Sequence, residues 1–177
     1  MEHRIIMAGF GGQGIMVMGS MLTYAAMKEG KETSWIPSYG VEQRGGTANC
    51  SVVVSDRIIA APIVDSPQIA VIMNRPSLDK FEPKMEKNGL LLINDSIIER
   101  EVEREDLEVI RIKANDIAID LGSKRIANMV MLGALAHKTN IVRLDTIKNS
   151  FKDVLSKRRH NLIEINQKAL DKGAELV

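Results

Sequence analysis

The residues with the clearest potential for chemistry are the glycines of the segment GFGGQG, where Gly9, Gly11 and Gly14 fit the spacing G-x-G-x-x-G. An apolar run at 4–8 precedes them and a long apolar stretch begins at Ile15, which predicts a strand, a turn and a helix. In that setting glycine permits a sharp turn and lets a phosphate approach the backbone N–H groups at the positive end of a helix. The spacing is typical of a dinucleotide-binding loop.

A nicotinamide dinucleotide also needs an acidic residue about twenty positions further on, at the end of the second strand, to bind the ribose hydroxyls. Here that strand ends in WIPSY, which carries no acid. Glu29 and Glu32 precede the strand, and Glu42 lies well into the following loop. A tight turn used for packing, with Gln13 available for polar contacts, is therefore favoured over dinucleotide binding.

A second polar segment, SYGVEQRGGTANC, carries side chains that form hydrogen bonds or ion pairs: Tyr39, Glu42, Gln43, Arg44, Thr47 and Asn49. Loops that follow parallel strands gather at the carboxyl edge of a sheet, so we expect this loop beside the loop 9–14. The guanidinium of Arg44 suits a phosphate or a carboxylate. Pairing of Arg44 with Glu42 or with solvent is the simpler interpretation, and spacing by itself favours it.

The remaining candidate groups predict no catalytic residue and no metal ligand. His3, His137 and His160 lack metal-ligand spacing. The single cysteine, Cys50, cannot form an internal disulfide, and one thiolate cannot hold an iron–sulfur cluster, which takes about four ligands. The basic segment SKRRHN lacks interleaved aromatic residues, so we interpret it as an exposed helix end.

The composition predicts one cytoplasmic domain over residues 1–177. That length is enough to bury a core without disulfides or metal. Lys and Arg total 24 against 23 acids, for a formal charge of +1, so no nucleic-acid or membrane partner is expected. The N-terminus does not resemble a signal peptide, and no apolar run reaches the ~20 residues of a membrane span.

Alternating strand-like and helix-like segments predict an α/β fold: a single three-layer domain with a largely parallel sheet, a β-hairpin and helices on both faces. Predicted strands are the run 4–8, TSWIPS ended by Pro37, QIAVIM, LLLIN and LEVIRIK. CSVVVSDRIIAAPIV predicts the hairpin, turning at Ser55–Arg57. IIEREVERED is interpreted as a solvated connection, and helices follow the last strand.

Taken together, GFGGQG, WIPSYGVEQRGGTANC and NMVMLGALA resemble the gamma subunit of 2-oxoacid:ferredoxin oxidoreductases. The resemblance runs nearly end to end and rests on the order and spacing of the three strings. The form SYGVEQRGGTANC is similar to the 2-oxoglutarate branch. Val41 and Gln43 stand where relatives often have Pro and Met.

This resemblance implies a coenzyme A-dependent enzyme of several chains, which oxidatively decarboxylates a 2-oxoacid to acyl-CoA, CO2 and reduced ferredoxin. Thiamine diphosphate would lie between the alpha and beta subunits, with iron–sulfur clusters on beta and a ferredoxin-like delta subunit. This chain would then bind no cofactor by itself, contact coenzyme A at most, and be inactive alone. The implied cofactor-binding or interface residues are Gly9, Gly11, Gly12, Gln13, Gly14, Tyr39, Glu42, Arg44, Gly45, Gly46, Thr47 and Asn49.

Several functions stay open on the residues alone. The two glycine-containing loops would form a polar rim where backbone N–H groups and Arg44 meet the phosphates of coenzyme A. The same rim could instead hold the alpha subunit by hydrogen bonds. A free-standing Rossmann-like nucleotide-binding oxidoreductase and a non-catalytic interaction module are the remaining alternatives.

Overall fold

A six-stranded sheet runs through the centre of the computed structural model, which describes residues 1–40 and 46–177. Its strands are β1 (Glu2–Phe10), β2 (Glu32–Tyr39), β3 (Thr47–Ser55), β4 (Ile69–Ile72), β5 (Leu90–Asn94) and β6 (Glu108–Ile112). Their spatial order is β2-β3-β1-β4-β5-β6. Strands β1, β4, β5 and β6 are parallel neighbours, whereas β3 runs antiparallel to both β1 and β2. The prediction of a largely parallel sheet is confirmed.

Helices cover both faces of the sheet. The described residues contain α1 (Ile15–Lys28), α2 (Arg75–Phe81), α3 (Ala114–Asp120), α4 (Ala127–Thr139), α5 (Leu144–Val154) and α6 (Ile163–Ala174). Short 3₁₀ turns occur at Glu82–Lys84, Lys124–Ile126 and Lys157–Leu162. Buried side chains of α1 and of α3 to α6 share one core with one sheet face, and those of α2 share a second core with the other face. The predicted three-layer α/β domain is therefore confirmed.

Helix α4 is buried on nearly all sides and meets α6 backbone against backbone. A Cβ atom at Gly133 would lie 2.0 Å from the carbonyl oxygen of Leu170, and one at Gly173 would lie 1.9 Å from the carbonyl oxygen of Val130. No side chain fits at either position without separating the helices. The two glycines therefore fix how α4 and α6 cross.

The β-hairpin lies elsewhere than the sequence predicted. Strands β2 and β3 pair antiparallel, from Glu32 opposite Ser55 to Tyr39 opposite Ala48, and these consecutive strands form the hairpin. The prediction of a turn at Ser55–Arg57 is wrong: Ile58 and Ile63 of the supposed second strand are 89% and 66% exposed. Both edges of β3 are already occupied by β1 and β2, so the later apolar run cannot form a hairpin with β3.

Strand β2 also continues through Pro37, at which the sequence predicted its end. Pro37 lies in register opposite Cys50 within the ladder. Within residues 1–40 and 46–177, β2 is an edge strand with no neighbouring strand on one side, and a residue without an N–H group is tolerated there. The prediction failed because the position of a strand in the sheet, which decides whether proline fits, is a tertiary property.

The charged segment after β5, residues 97–106, is a connection whose side chains are mostly exposed, as predicted, but it is also anchored to the protein. The carboxylate of Glu82, only 2% exposed, accepts hydrogen bonds from the backbone N–H groups of Glu103 (2.6 Å) and Arg104 (3.0 Å). The guanidinium of Arg100 donates to the same carboxylate. Within the segment, Ile98 is fully buried. A buried carboxylate needs several donors, and the segment supplies them.

We expect Glu82→Gln to lower the free energy of unfolding at pH 7 by about 2 to 4 kcal/mol, because it breaks a buried, hydrogen-bonded charge pair. The measurement is urea unfolding of the purified chain. Exposed Glu99, in the same segment, gives the control: Glu99→Gln should change stability by less than about 0.5 kcal/mol. Equal effects of the two substitutions would contradict the anchoring role.

The difference in the free energy of unfolding between Glu82→Gln and the native chain should depend on pH. Burial by itself raises the pKa of the Glu82 carboxyl, but hydrogen bonds from Arg100 and from the N–H groups of Arg104 and Glu103 outweigh burial and lower its pKa. A lowered folded pKa stabilises the protein above the unfolded pKa of about 4.3, and that stabilisation is lost as pH falls through the folded value. Unfolding measured at pH 7 and at pH 3 should therefore show the difference shrinking at acid pH.

Candidate functional site

Polar residues follow several strands at the carboxyl edge of the sheet. The glycine loop, residues Gly11–Gly14, follows β1. Asn74 follows β4 with one residue between them, and Asn94 is the last residue of β5. Neighbouring strands β1 and β4 lead into helices on opposite faces, α1 on one side and α2 on the other. A crevice where the chain leaves adjacent parallel strands in opposite directions is the usual ligand site of an α/β sheet.

Gln13 fixes the shape of the glycine loop. Its side-chain Oε1 accepts a hydrogen bond from the N–H group of Phe10 (2.6 Å), and its Nε2 donates to the carbonyl oxygen of Met73 (3.0 Å). The backbone N–H group of Gln13 also donates to the carbonyl oxygen of Phe10 (3.1 Å). The side chain of Gln13 therefore ties the loop to the end of β4 and acts as a positioning residue.

Two of the motif glycines are required by lack of space. A Cβ atom at Gly9 would lie 2.8 Å from the Cβ of Met73, and one at Gly14 would lie 2.4 Å from Nδ2 of Asn128. Gly14 also has φ +76, in the left-handed region. The packing interpretation thus holds for Gly9 and Gly14, whereas Gly11 and Gly12 are exposed on the outside of the loop.

The N-terminus of α1 is open to an anion. Gly14 precedes the helix and supplies no side chain, and neither a capping side chain nor an acidic residue is present in the first turn. The first N–H groups of a helix have no partner within the helix and carry a partial positive charge. Gly14 and Ile15, at this end of α1, line the same cavity as Gly12.

The structure places Gly46, the described end of the second loop, beside the glycine loop, as predicted. The N–H group of Gly11 donates to the carbonyl oxygen of Gly46 (2.9 Å). The N–H group of Gly40 donates to the carbonyl oxygen of Thr47 (2.8 Å), which closes the described ends of the β2–β3 hairpin. In the sheet, Phe10 lies opposite Thr47.

The structure places the other residues predicted for the second loop in different elements or leaves them outside the described residues. Tyr39 ends β2 and is 71% exposed. Thr47 and Asn49 are half-buried and belong to β3, so the loop is shorter than predicted. Glu42, Arg44 and Gly45 lie outside the described residues, and their roles stay predictions.

Sequence reasoning missed a group of cations around the glycine loop. Three neighbouring cavities, of about 260, 170 and 230 Å³, all include Gly12 in their lining. Lys124 and Arg125 line the first, Arg125 and Arg159 the second, and Arg159 the third. The sequence signal is the basic pair in GSKRI, which the sequence analysis did not single out, and the basic run in SKRRHN, which it interpreted as an exposed helix end. Only folding brings these two 3₁₀ turns to the same loop.

Asn128 was also missed, although it belongs to the string NMVMLGALA. Its Nδ2 donates a hydrogen bond to the carbonyl oxygen of Gly14 (3.1 Å), and the residue is only 5% exposed. Its Oδ1 is buried and has no hydrogen-bond donor within 1–40 and 46–177. The residue lines the cavity of about 170 Å³ together with Arg125 and Arg159.

The single thiol is buried beside the start of α1, where Cys50 Sγ donates to the carbonyl oxygen of Ile15 (3.8 Å). Burial raises the pKa of the Cys50 thiol to about 12, against a smaller opposite effect of its hydrogen bond with Trp35, so the thiol is unreactive at neutral pH. Across the described part of the chain no cluster of three or more His, Cys, Asp or Glu side chains is arranged to hold a metal ion. None of the described helices is both long enough and apolar enough to cross a bilayer.

Comparison with known proteins decides the family. Residues 4–176 match the profile of the family described as pyruvate ferredoxin/flavodoxin oxidoreductase. The chain belongs to this family. The resemblance to gamma subunits of 2-oxoacid:ferredoxin oxidoreductases, drawn from three motifs, is confirmed.

One relative of this oxidoreductase family is the ketoisovalerate oxidoreductase subunit VorA of Methanothermobacter marburgensis, which is 40% identical over 98% of this chain. The chain spans only about a third of that relative, 36% of its length. The domain therefore also occurs as part of a longer subunit.

Two solved structures of the family share the fold. The gamma subunit of keto/oxoacid ferredoxin oxidoreductase from Geobacter sulfurreducens has a TM-score of 0.83 at 25% identity, covering 98% of this chain and 96% of its own. The 2-oxoglutarate:ferredoxin oxidoreductase of Magnetococcus marinus, solved with 2-oxoglutarate, coenzyme A and succinyl-CoA bound, has a TM-score of 0.89 at 26% identity. The similarity covers 99% of this chain and 31% of the Magnetococcus chain.

Replacing Gly14 should destabilise the fold more than replacing Gly30, which provides a matched control. Both have φ +76, but a Cβ at Gly30 meets nothing within 4 Å. We expect Gly30→Ala to lower the free energy of unfolding by about 1 to 2 kcal/mol from backbone strain. Gly14→Ala should add about 1 to 3 kcal/mol because Asn128 must move. Urea unfolding measures both, and equal losses would show that Asn128 does not pack against the loop.

Proposed function

We propose that this chain is the gamma subunit of a coenzyme A-dependent 2-oxoacid:ferredoxin oxidoreductase, which converts a 2-oxoacid to acyl-CoA, CO2 and reduced ferredoxin. The observation that carries the proposal is the rim formed by the glycine loop and the second loop, joined by the hydrogen bond from Gly11 to Gly46. This rim lies where an α/β sheet binds its ligand. It combines the two strings on which the resemblance to gamma subunits rests.

The redox cofactors belong to partner chains in this proposal. The chain has one cysteine, buried with a pKa of about 12, whereas an iron–sulfur cluster takes about four thiolates. Alpha, beta and ferredoxin-like delta subunits would provide thiamine diphosphate and the clusters, and ferredoxin would accept electrons from the assembly. The chain alone would then be inactive.

The role of this chain is to shape the rim of the active site and the path of coenzyme A. Uncapped N–H groups at the start of α1 suit phosphate groups, and Arg44 belongs to the second loop. In VorA and in the Magnetococcus enzyme the matching region is about a third of a longer chain. The presence of this region within longer chains supports a domain that functions in contact with neighbouring domains rather than alone.

The proposed substrate is 2-oxoglutarate. The form SYGVEQRGGTANC and the fold shared with the Magnetococcus enzyme support it. The higher identity to VorA favours a branched-chain 2-oxoacid instead. Substrate preference of the assembled enzyme distinguishes the two.

An interaction module is the second candidate, favoured by the exposed edge strand. Side chains Trp35, Ile36 and Tyr39 of β2 are all exposed, and one edge of β2 has no neighbouring strand among the described residues. Exposed edge strands and large apolar side chains are common at protein interfaces. A free-standing nucleotide-binding oxidoreductase is less well supported, since no acidic residue ends β2.

The first test of function is reconstitution. The chain, alone or with alpha, beta and delta subunits, is assayed for coenzyme A-dependent reduction of ferredoxin with 2-oxoglutarate, 2-ketoisovalerate and pyruvate. We expect activity only in the complete assembly, with 2-oxoglutarate preferred. An unchanged rate when this chain is omitted would refute the subunit role, and preference for 2-ketoisovalerate would correct the substrate.

A second test addresses Arg44. If its guanidinium meets a phosphate of coenzyme A, Arg44→Ala should raise the KM for coenzyme A about tenfold, in line with the loss of one charge-assisted hydrogen bond. Exposed Arg57, at the opposite edge of the sheet, provides the control Arg57→Ala. A weaker assembly with unchanged KM would instead assign Arg44 to the contact with the alpha subunit.

A further inference from the structure

We propose that the apolar segment, residues 58–63 with the sequence IIAAPI, is a docking surface for the alpha subunit of the assembly. The inference rests on the proposed function and concerns a part of the chain outside the glycine loop and the second loop. It is carried by the exposure of the segment, by its attachment to the fold and by the length of the relatives that contain this domain.

The apolar segment presents large side chains to solvent. Ile58 is 89% exposed and Ile63 is 66% exposed, which exceeds every other isoleucine within residues 1–40 and 46–177. Between them Ala60, Ala61 and Pro62 are exposed as well. Single exposed apolar side chains are ordinary on a protein surface, but four consecutive ones are unfavourable there unless another molecule covers them.

The apolar segment is attached firmly to the fold. Just before it, the N–H group of Arg57 donates to Oγ of Ser55 (3.1 Å). Within it, Ile59 packs against the core that the sheet shares with α2, and Val64, directly after it, is buried in that core. The exposed side chains are therefore displayed on an ordered backbone, which reduces the entropy that docking costs.

The apolar segment lies at the edge of the sheet opposite to the glycine loop. It follows β3, whose last residue Ser55 is paired with Glu2 at the start of β1. Ile58 and Glu2 line a cavity of about 420 Å³, so a concave surface adjoins the segment. Exposed Asp56 and Asp65 flank the segment. An apolar centre with a polar margin is the usual composition of a protein interface, and docking here leaves the glycine loop free.

The length of the relatives indicates which partner covers the apolar segment. In VorA and in the Magnetococcus enzyme, 98% and 99% of this chain match only 36% and 31% of the longer polypeptide. The remaining two thirds of each relative therefore stay next to this domain. In the proposed assembly the alpha subunit supplies that part, with aliphatic or aromatic side chains against the segment.

A second copy of this chain fits the apolar segment less well. A stable interface between two free proteins uses roughly 20 residues a side, and the segment has six residues. A surface of that size suits a neighbour that further contacts already hold in place, because its effective concentration is then high. A subunit of a larger assembly meets this condition.

The test is the double substitution Ile58→Ser/Ile63→Ser. The native chain or the variant is titrated into purified alpha, beta and delta subunits, and coenzyme A-dependent reduction of ferredoxin is measured. We expect the chain concentration that gives half-maximal activity to rise at least about tenfold, equivalent to about 1.4 kcal/mol. At saturating chain, kcat and the KM for coenzyme A should be unchanged, as should the urea midpoint of the isolated variant.

The matched control is Met27→Ser/Ile119→Ser, which removes two apolar side chains that are 57% and 58% exposed. These residues belong to α1 and α3, on the other face of the sheet. The control should shift the half-maximal concentration by no more than about twofold. An equal shift in both double variants would overturn the inference.

Hydrogen exchange provides a second measurement. Backbone amides of residues 58–63 should exchange more slowly in the assembly than in the isolated chain. Unchanged exchange there, or an unchanged half-maximal concentration in Ile58→Ser/Ile63→Ser, overturns the inference and leaves the subunit role intact. If the native chain forms a dimer that this variant loses, without any shift in assembly, a second copy is the partner and the inference is also overturned.

Failure of the proposed function is recognised separately. If the native assembly oxidises no 2-oxoacid, sedimentation of the chain with the alpha subunit still decides the inference. A complex that Ile58→Ser/Ile63→Ser loses and the control retains supports it. If the native chain neither binds nor activates the partner subunits, the proposed function fails and the inference fails with it.

Discussion

The rest of the structure depends on the close approach of two backbone segments, α6 and the glycine loop, to the buried helix α4. At its middle, Gly133 meets the carbonyl group of Leu170, and at its start Asn128 meets Gly14 of the glycine loop. Neither contact leaves room for a Cβ atom, so packing against α4 determines the positions of both α6 and the glycine loop. The geometry of the candidate site is therefore a consequence of how α4 packs.

Charge is used in two different ways on this nearly neutral chain. In the segment that follows β5, Arg100 and Arg104 satisfy the buried carboxylate of Glu82, so that a stretch rich in acids and bases becomes part of the framework. Around Gly12 the cations lack such partners among the described residues and line open cavities. The first arrangement stabilises the chain, and the second provides a field for an anionic ligand.

The site suits binding better than catalysis, which fits a domain that occurs in longer relatives as about a third of the subunit. The side chain of Gln13 forms the hydrogen bonds that shape the loop, Cys50 is buried, and no described carboxylate, histidine or thiol lines the cavities around Gly12. In the proposed assembly the redox centres would lie on partner subunits, because an iron–sulfur cluster takes about four thiolates and this chain has one cysteine.

By itself the sequence determined the α/β class, the strand–loop–helix around Gly9 to Gly14, and the adjacency of the two loops. Hydrophobic periodicity and glycine spacing are local properties of the chain, and the position of loops that follow parallel strands obeys a general rule of sheet topology. Only the tertiary structure decided that Pro37 lies within an edge strand, that the run at Ile58 has no strand partner, and that Glu82 anchors the charged segment. It alone brought Arg125, Asn128 and Arg159 to one cavity. Those outcomes depend on which distant segments meet, and packing between residues far apart in the chain is not encoded in any short pattern.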